Sequence, residues 1–227
     1  MVQLVTKMGE DVDVARSAWV STEGERSEEE HEPGRVKGLI GFLMKNRHGS
    51  PFEQCVMRFR VTAPIFVWRE HMRHRIASYN EQSGRYMKLD PVFYVPALGE
   101  RPIVQEGKPG AYTFVAGDDI QTNYLKESIE RCCMTAYFEY EGMLRLGIAP
   151  EVARMVLPVN IYSTAYVSMN LRALMNFLSL RTKSELARDP SFPMYEIELV
   201  GSYYEALFEE HFPLVHEAWN SNGRVAP

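Results

Sequence analysis

The chain has 227 residues, is 45% hydrophobic, and carries 30 acidic against 25 basic side chains, a formal net charge of -5. This size and apolar content suffice for one domain with a buried core, and the mild acidity argues against a general nucleic-acid binder, which carries a basic excess. No run of about 18 apolar residues is present to cross a membrane. Acids in the opening MVQLVTKMGEDVDVA stand where a signal peptide needs an apolar run. Three cysteines, Cys132 and Cys133 adjacent, make no disulfide framework, so a reducing cytoplasm is the expected setting.

In chain order, Val2 to Val5 predicts a short first strand and Val12 to Val20 a helix. Glu23 to Glu32 (EGERSEEEHE) is nearly devoid of apolar residues and reads as a solvated loop or a frayed helix end. After Pro33-Gly34, the residues Val36, Leu39, Ile40, Phe42 and Leu43 predict a helix to about Asn46. His48-Gly49-Ser50-Pro51 is a turn, and Gln54 to Val61 a strand with Cys55, Met57, Phe59 and Val61 on one face. Pro64 suits a first helical position, where its missing N–H would be unpaired anyway. The helix after it would align Ile65, Trp68, Met72 and Ile76, with Arg69 and Arg73 in one row beside that face and His71 and Arg75 in another.

Asp90 to Gly110 reads as an irregular connection. A long helix over Asp118 to Leu146 carries Ile120, Tyr124, Ile129, Cys133, Ala136, Tyr140 and Leu144 as its stripe, and Gly147 ends it. Pro150 opens a short helix containing Arg154. Ile161 to Met169 alternates and predicts a strand. Asn170 can cap the next helix, whose Leu171, Leu174, Met175 and Leu178 face the core. A last helix covers Tyr195 to about Glu210. No internal repeat and no firm domain boundary are visible.

The chemistry concentrates between Arg69 and Tyr86, REHMRHRIASYNEQSGRY, where four arginines and two histidines flank the polar tract Ser78 to Gly84. Guanidinium groups bind phosphate bidentately, and backbone N–H groups beside small residues complete an anion cradle. A solvated basic face with a polar turn reads the spacing equally well. His71 and His74 form H-x-x-H, but no second ligand cluster accompanies them, so no metal is expected. Neither G-x-G-x-x-G nor G-x-x-x-x-G-K-[ST] occurs.

Arg73-His74-Arg75, seven residues and Ser83, continuing into Gly84-Arg85-Tyr86, is similar to the signature of flavin-dependent thymidylate synthases. The resemblance extends to His48 and Ser50-Pro51-Phe52-Glu53, to Ala153-Arg154-Met155-Val156-Leu157-Pro158, and to Asn170 through Leu178 with Arg181. It implies an α+β fold, a small, mainly antiparallel sheet packed with several long helices in a single domain spanning 1–227. It also implies a homotetramer with active sites at subunit interfaces. The reaction implied is reductive methylation of dUMP to dTMP, with methylenetetrahydrofolate supplying the carbon and FAD, reduced by NADPH, the hydride. Partners are these small molecules, with no nucleic acid and no membrane.

By matching position, the resemblance gives FAD the residues Ser50, Arg73, His74, Arg75, Glu81, Asn170, Arg172 and Asn176. Arg172 and Asn176 are one turn apart, opposite the apolar stripe, so both reach one ligand. To dUMP it gives Glu70, Arg73, Glu81, Gln82, Ser83, Gly84, Arg85, Arg154 and Arg181, and to the folate or flavin ring His48. The bland readings are a carbonyl-bonded core histidine for His74, a plain cap for Asn170, a turn histidine for His48, and for Arg154 a side chain reaching past apolar neighbours to water. Arg181 is the expected catalytic residue: a guanidinium at the uracil edge favours negative charge at N3/O4 and makes C6 a better hydride acceptor. Ser83 has no adjacent base and is read as a binding residue, not a nucleophile. Gln54 stands where the family often has histidine, and Thr182 to Met194 is longer than the usual link. The rival functions are a non-catalytic nucleotide- or RNA-binding module and a flavoprotein reductase that has lost folate use.

Overall fold

Four strands, β1 (Val2–Met8), β2 (Val56–Pro64), β3 (Ser78–Glu81) and β6 (Tyr162–Asn170), form the main sheet of an α+β fold in the spatial order β1-β2-β6-β3. The computed structural model describes residues 1–24, 32–97, 99–108 and 111–227. These divide into two units, one of Met1–Thr62, Val67–Glu81 and Thr164–Pro227, the other of Ala63–Phe66 and Gln82–Ser163.

In the first unit β1 pairs antiparallel with β2, from Val2 opposite Val61 to Met8 opposite Val56, and β3 pairs antiparallel with β6, from Ser78 opposite Ser168 to Glu81 opposite Ala165. β1 runs three residues past the expected Val5, because an irregularity between Leu4 and Thr6 breaks the alternation while the pairing continues. β2 keeps Met57, Phe59 and Val61 fully buried, and β6 keeps Ala165, Val167 and Met169 buried, as their period-two patterns predict. The helices are α1 (Asp11–Glu23), α2 (Pro33–Lys45), α3 (Ile65–His71), α6 (Leu171–Arg181), α7 (Tyr195–His211) and α8 (Pro213–Ser221). Leu171, Leu174, Met175, Phe177 and Leu178 of α6 are buried, with Tyr204 and Phe208 of α7; each such side chain contributes about 1.5–3 kcal/mol. α8 lies beyond the last expected helix: Phe212 accepts no continuation of α7, and Pro213 restarts the helix at its first turn. The acidic stretch from Glu25 to His31 lies outside the described residues.

The sequence pattern misreads two places around the basic motif. Pro64 closes β2 instead of opening a helix, and α3 has only seven residues, so its buried face is Val67, Trp68 and His71. Met72 and Ile76, expected on that face, lie beyond the helix and are exposed. The polar tract read as a loop begins as β3, because its backbone completes an edge of the sheet against β6 whatever its side chains are.

The second unit carries α4 (Asp119–Arg145), α5 (Pro150–Ala153) and an antiparallel hairpin of β4 (Val104–Lys108) and β5 (Ala111–Val115). Asp118 caps α4 by accepting from Gln121 N at 2.8 Å, and Gly147 follows the helix with φ +82°, a conformation glycine adopts without strain. Of the stripe expected on α4, Cys133 and Tyr140 are buried, while Ile120 and Tyr124 are exposed. The hairpin replaces part of the irregular connection expected from Asp90 to Gly110. Among the described residues no helix is long and apolar enough to cross a membrane.

Candidate active site

α3 places the basic motif by burying a histidine. His71 is 1% exposed; its Nε2 lies 2.9 Å from the Tyr204 hydroxyl and its Nδ1 3.2 Å from that of Tyr79. Burial, helped by His74, pushes its pKa down to about 3, so the ring is neutral and acts as a hydrogen-bonded strut. This corrects the expectation that His71 lies in a row with Arg75 beside the buried face; it is part of that face. The Tyr79 hydroxyl donates to the His74 carbonyl at 3.0 Å, so β3 holds the segment that carries the motif.

Arg181 ends α6 and is only 18% exposed. Its Nη1 lies 2.9 Å from Glu70 Oε2, and its Nε donates to His74 Nε2 at 3.1 Å. The His74 nitrogen is therefore an acceptor, and the ring is the neutral form protonated at Nδ1. Burial and then the Arg181 charge push the His74 pKa down to about 4, against the opposing pull of Glu70. The ring also packs 4.7 Å from Phe177. Glu70, His74 and Arg181 are thus brought together. Arg69, Arg73 and Arg75 are exposed, with no carboxylate within salt-bridge distance among the described residues.

At the other end of α6, the Asn170 side chain accepts from Ala173 N at 2.8 Å, the cap expected of it. Arg172 and Asn176 are exposed on the face away from the core. Arg172 Nη1 pairs with Glu53 Oε1 at 2.6 Å, and its Nε donates to the Pro227 carbonyl at 2.6 Å. Gly49 makes this approach possible: a Cβ there would sit 2.6 Å from Arg172 Nε. Ser50 begins a 3-10 turn, Ser50–Glu53, and borders an open cleft of about 430 Å³ with Asp13, Arg16 and Gln54. Gln54 Nε2 donates to the Ser50 carbonyl at 3.4 Å, so the glutamine that departs from the family pattern braces this turn. His48 is exposed, its ring 5.8 Å from that of Phe42. Glu81 is the exposed last residue of β3.

In the second unit, Gln82, Ser83, Gly84 and Arg85 follow in succession. The Ser83 hydroxyl accepts from Arg85 N at 3.3 Å, and Arg85 Nε pairs with Glu151 at 2.6 Å. Gly84 is buried, and a Cβ on it would stand 3.0 Å from Leu89 Cδ1 and 3.3 Å from Arg154 Cδ. Arg154 begins a 3-10 turn, Arg154–Val156, and is exposed with no carboxylate partner among the described residues. Its apolar neighbours in sequence do not enclose it.

Sequence reasoning did not single out Tyr79, Tyr204 or Gly49. Tyrosines at core-facing positions carry no mark of a polar task, and the demand on Gly49 arises only where Arg172 crosses it.

Residues 3–213 match the family described as thymidylate synthase complementing protein. The chain is 52% identical to a flavin-dependent thymidylate synthase of Streptomyces coelicolor, over all of this chain and 93% of the relative. The chain belongs to the flavin-dependent thymidylate synthase family. A family member from Tropheryma whipplei is 51% identical over all of this chain and 94% of its own length. Among solved structures, the crystal structure of a Streptomyces cacaoi UMP/dUMP methylase bound with 5-Br dUMP superposes with a TM-score of 0.94 at 45% identity, covering all of this chain and 97% of that one.

Proposed function

We infer that this flavin-dependent thymidylate synthase converts dUMP to dTMP by reductive methylation, with methylenetetrahydrofolate as carbon donor and NADPH as the source of reducing equivalents through FAD. The observation that carries the reading is the Arg181 guanidinium, mostly buried, aligned by Glu70 and His74 beside the cationic Arg73–Arg75 segment. The donor set suits FAD: Arg73 and Arg75 have no intramolecular carboxylate among the described residues, and Arg172, Asn176 and Ser50 offer guanidinium, amide and hydroxyl groups. In the proposal, Arg73, His74 and Arg75 hold FAD, with Ser50 and Glu81 as further contacts. Asn170, Arg172 and Asn176 form a second group on it, with His48 near the flavin or folate ring. The chemistry a flavin supplies when bound is hydride donation.

For dUMP, the proposal takes Glu70, Arg73, Glu81, Gln82, Ser83, Gly84, Arg85, Arg154 and Arg181. The Ser83 hydroxyl and the exposed Arg154 guanidinium suit a phosphate. Arg181 is the electrostatic catalyst: held at the uracil edge, it stabilises charge that grows at N3/O4 as C6 is reduced. Its bond to Glu70 must loosen or be shared when the nucleotide binds, whereas neutral His74 can keep it in place.

The reading includes one functional domain over 1–227, a homotetramer, and a cytoplasmic setting. A face of α4 supports the assembly: Ile120, Tyr124, Met134 and Phe138 are all at least 65% exposed. Their spacings of four, ten and four residues put them on one stripe of the helix. Purified protein should be yellow and should be bleached anaerobically by NADPH. Colourless protein that takes up no FAD, or an RNA preference that vanishes with salt, would favour the binding-module alternative instead.

A further inference from the structure

The far end of the chain holds a buried ionic network that the reaction does not itself use. Arg224 is 5% exposed; its Nη1 and Nη2 grip the two Glu205 carboxylate oxygens at 2.5 and 2.6 Å, a bidentate pair. Nη1 also donates to Asn220 Oδ1 at 2.9 Å, the guanidinium lies 4.1 Å from the Trp219 ring, and His216 Nε2 stands 3.3 Å from Glu205. Its backbone has φ +57°, in the left-handed region that side chains other than glycine rarely adopt, and such a residue persists where its surroundings over-determine it.

A further donor identifies what the network acts on. Arg224 Nη2 donates to Thr182 Oγ1 at 2.7 Å, and that hydroxyl donates to the Leu178 carbonyl at 2.8 Å, one turn back in α6. Ser191 Oγ donates to the Thr182 carbonyl at 2.7 Å. From α7, Gly201 lies so close that a Cβ would meet Thr182 Cγ2 at 2.7 Å and the Arg181 carbonyl at 3.0 Å. The Arg224 carbonyl in turn accepts from Ser179 Oγ at 2.9 Å. The Arg181–Thr182 peptide is therefore pinned immediately beyond the side chain that meets Glu70 and His74.

We propose that Arg224 and Thr182 are positioning residues for Arg181: the buried Arg224–Glu205 pair clamps the end of α6 through the Thr182 hydroxyl and so fixes the reach of the guanidinium. This rests on the reading of Arg181 as the residue that activates the uracil ring. A tether of this kind acts on rate, because misplacing a catalytic group by about 1 Å can cost roughly a hundredfold.

The test is steady-state dTMP formation at saturating dUMP, per flavin-loaded folded enzyme, for Thr182→Val, Thr182→Ser, Arg224→Lys and Arg181→Lys, and for Thr182→Val combined with Arg181→Lys. Valine keeps the shape of threonine but accepts nothing from Arg224. Expected is a roughly tenfold fall in kcat for Thr182→Val with flavin content unchanged, recovery in Thr182→Ser, and no further fall when Thr182→Val is added to Arg181→Lys. Arg224→Lys, which keeps the charge but loses the fork, should behave like Thr182→Val. An unchanged kcat in Thr182→Val beside a slowed Arg181→Lys overturns the tether alone, as do losses that multiply in the double variant. An unchanged Arg181→Lys removes the reading of Arg181 and the tether with it.

Discussion

The proposed roles of Arg181 and Ser83 separate activation from binding. Arg181→Ala should lower turnover even at saturating dUMP, since the interaction it removes strengthens in the transition state. Ser83→Ala should mainly raise the dUMP concentration needed, losing about 1 kcal/mol for one hydrogen bond. Initial rates across dUMP concentrations check both; abolished turnover with intact binding in Ser83→Ala would make the serine a nucleophile. His71 and His74 give a pH signature. Their folded pKa values, about 3 and about 4, lie below the ordinary 6.5, so near neutrality both rings are uncharged in the folded and unfolded chain. As pH falls below 6.5 the unfolded chain binds protons that the folded chain refuses, and stability is lost progressively toward pH 4. Denaturant midpoints should therefore drop between about pH 7.5 and pH 5, and equal midpoints would contradict the burial of these rings as neutral struts.

At the scale of elements, α6 is where sequence and structure agree most closely, and the reason is local. Its cap, its apolar stripe and the strand before it each follow a period that neighbouring residues impose. Asn170→Ala should cost about 1 kcal/mol through the lost cap, measured by urea denaturation. Replacing Arg172 and Asn176 together by alanine should release flavin while leaving the fold, since both side chains point away from the core; the pair of Arg172 with Glu53 is exposed and contributes little. Full flavin occupancy in the double variant would remove these residues from the proposed site. Elsewhere local pattern was a poor guide. The β4–β5 hairpin hid because Gln105, Glu106, Gly107 and Lys108 show no apolar alternation, and its strands are satisfied by pairing with each other. α3 was overextended because Met72 and Ile76 continue a helical spacing that the chain abandons to enter β3. The motif residues themselves are proposed from the resemblance. Of the props behind them, Tyr204, Thr182 and Arg224 were not legible, because contacts across 42 to 133 residues leave no trace in spacing; Tyr79, only eight residues from His71, carries no mark of a polar task in the sequence.

For the whole molecule, the account makes cysteine unnecessary. A mechanism that attacks C6 with a thiolate needs a cysteine in an electropositive pocket. Burial, reinforced by Asp13 and Asp11, pushes the Cys55 thiol up to about 12, and Cys133 is buried beside Asn160 with its Sγ 3.6 Å from Oδ1. Cys132 is exposed on α4. A variant with Cys55, Cys132 and Cys133 all changed to serine or alanine should still make dTMP, with a stability loss of about 1 kcal/mol per site. Loss of dTMP formation from one such change, with fold, FAD and dUMP binding intact, would contradict direct hydride delivery to C6.

The most direct measurement follows from the division of labour between folate and flavin. If methylenetetrahydrofolate gives only its carbon and NADPH, through FAD, gives the hydride, the folate must leave as tetrahydrofolate. Anaerobic turnover of FAD-loaded protein with dUMP, methylenetetrahydrofolate and NADPH, with the folate product separated and identified, decides the point. The account predicts one tetrahydrofolate for each dTMP formed and no dTMP once NADPH is left out. Dihydrofolate accumulating in step with dTMP, or dTMP forming without any reductant, would contradict it.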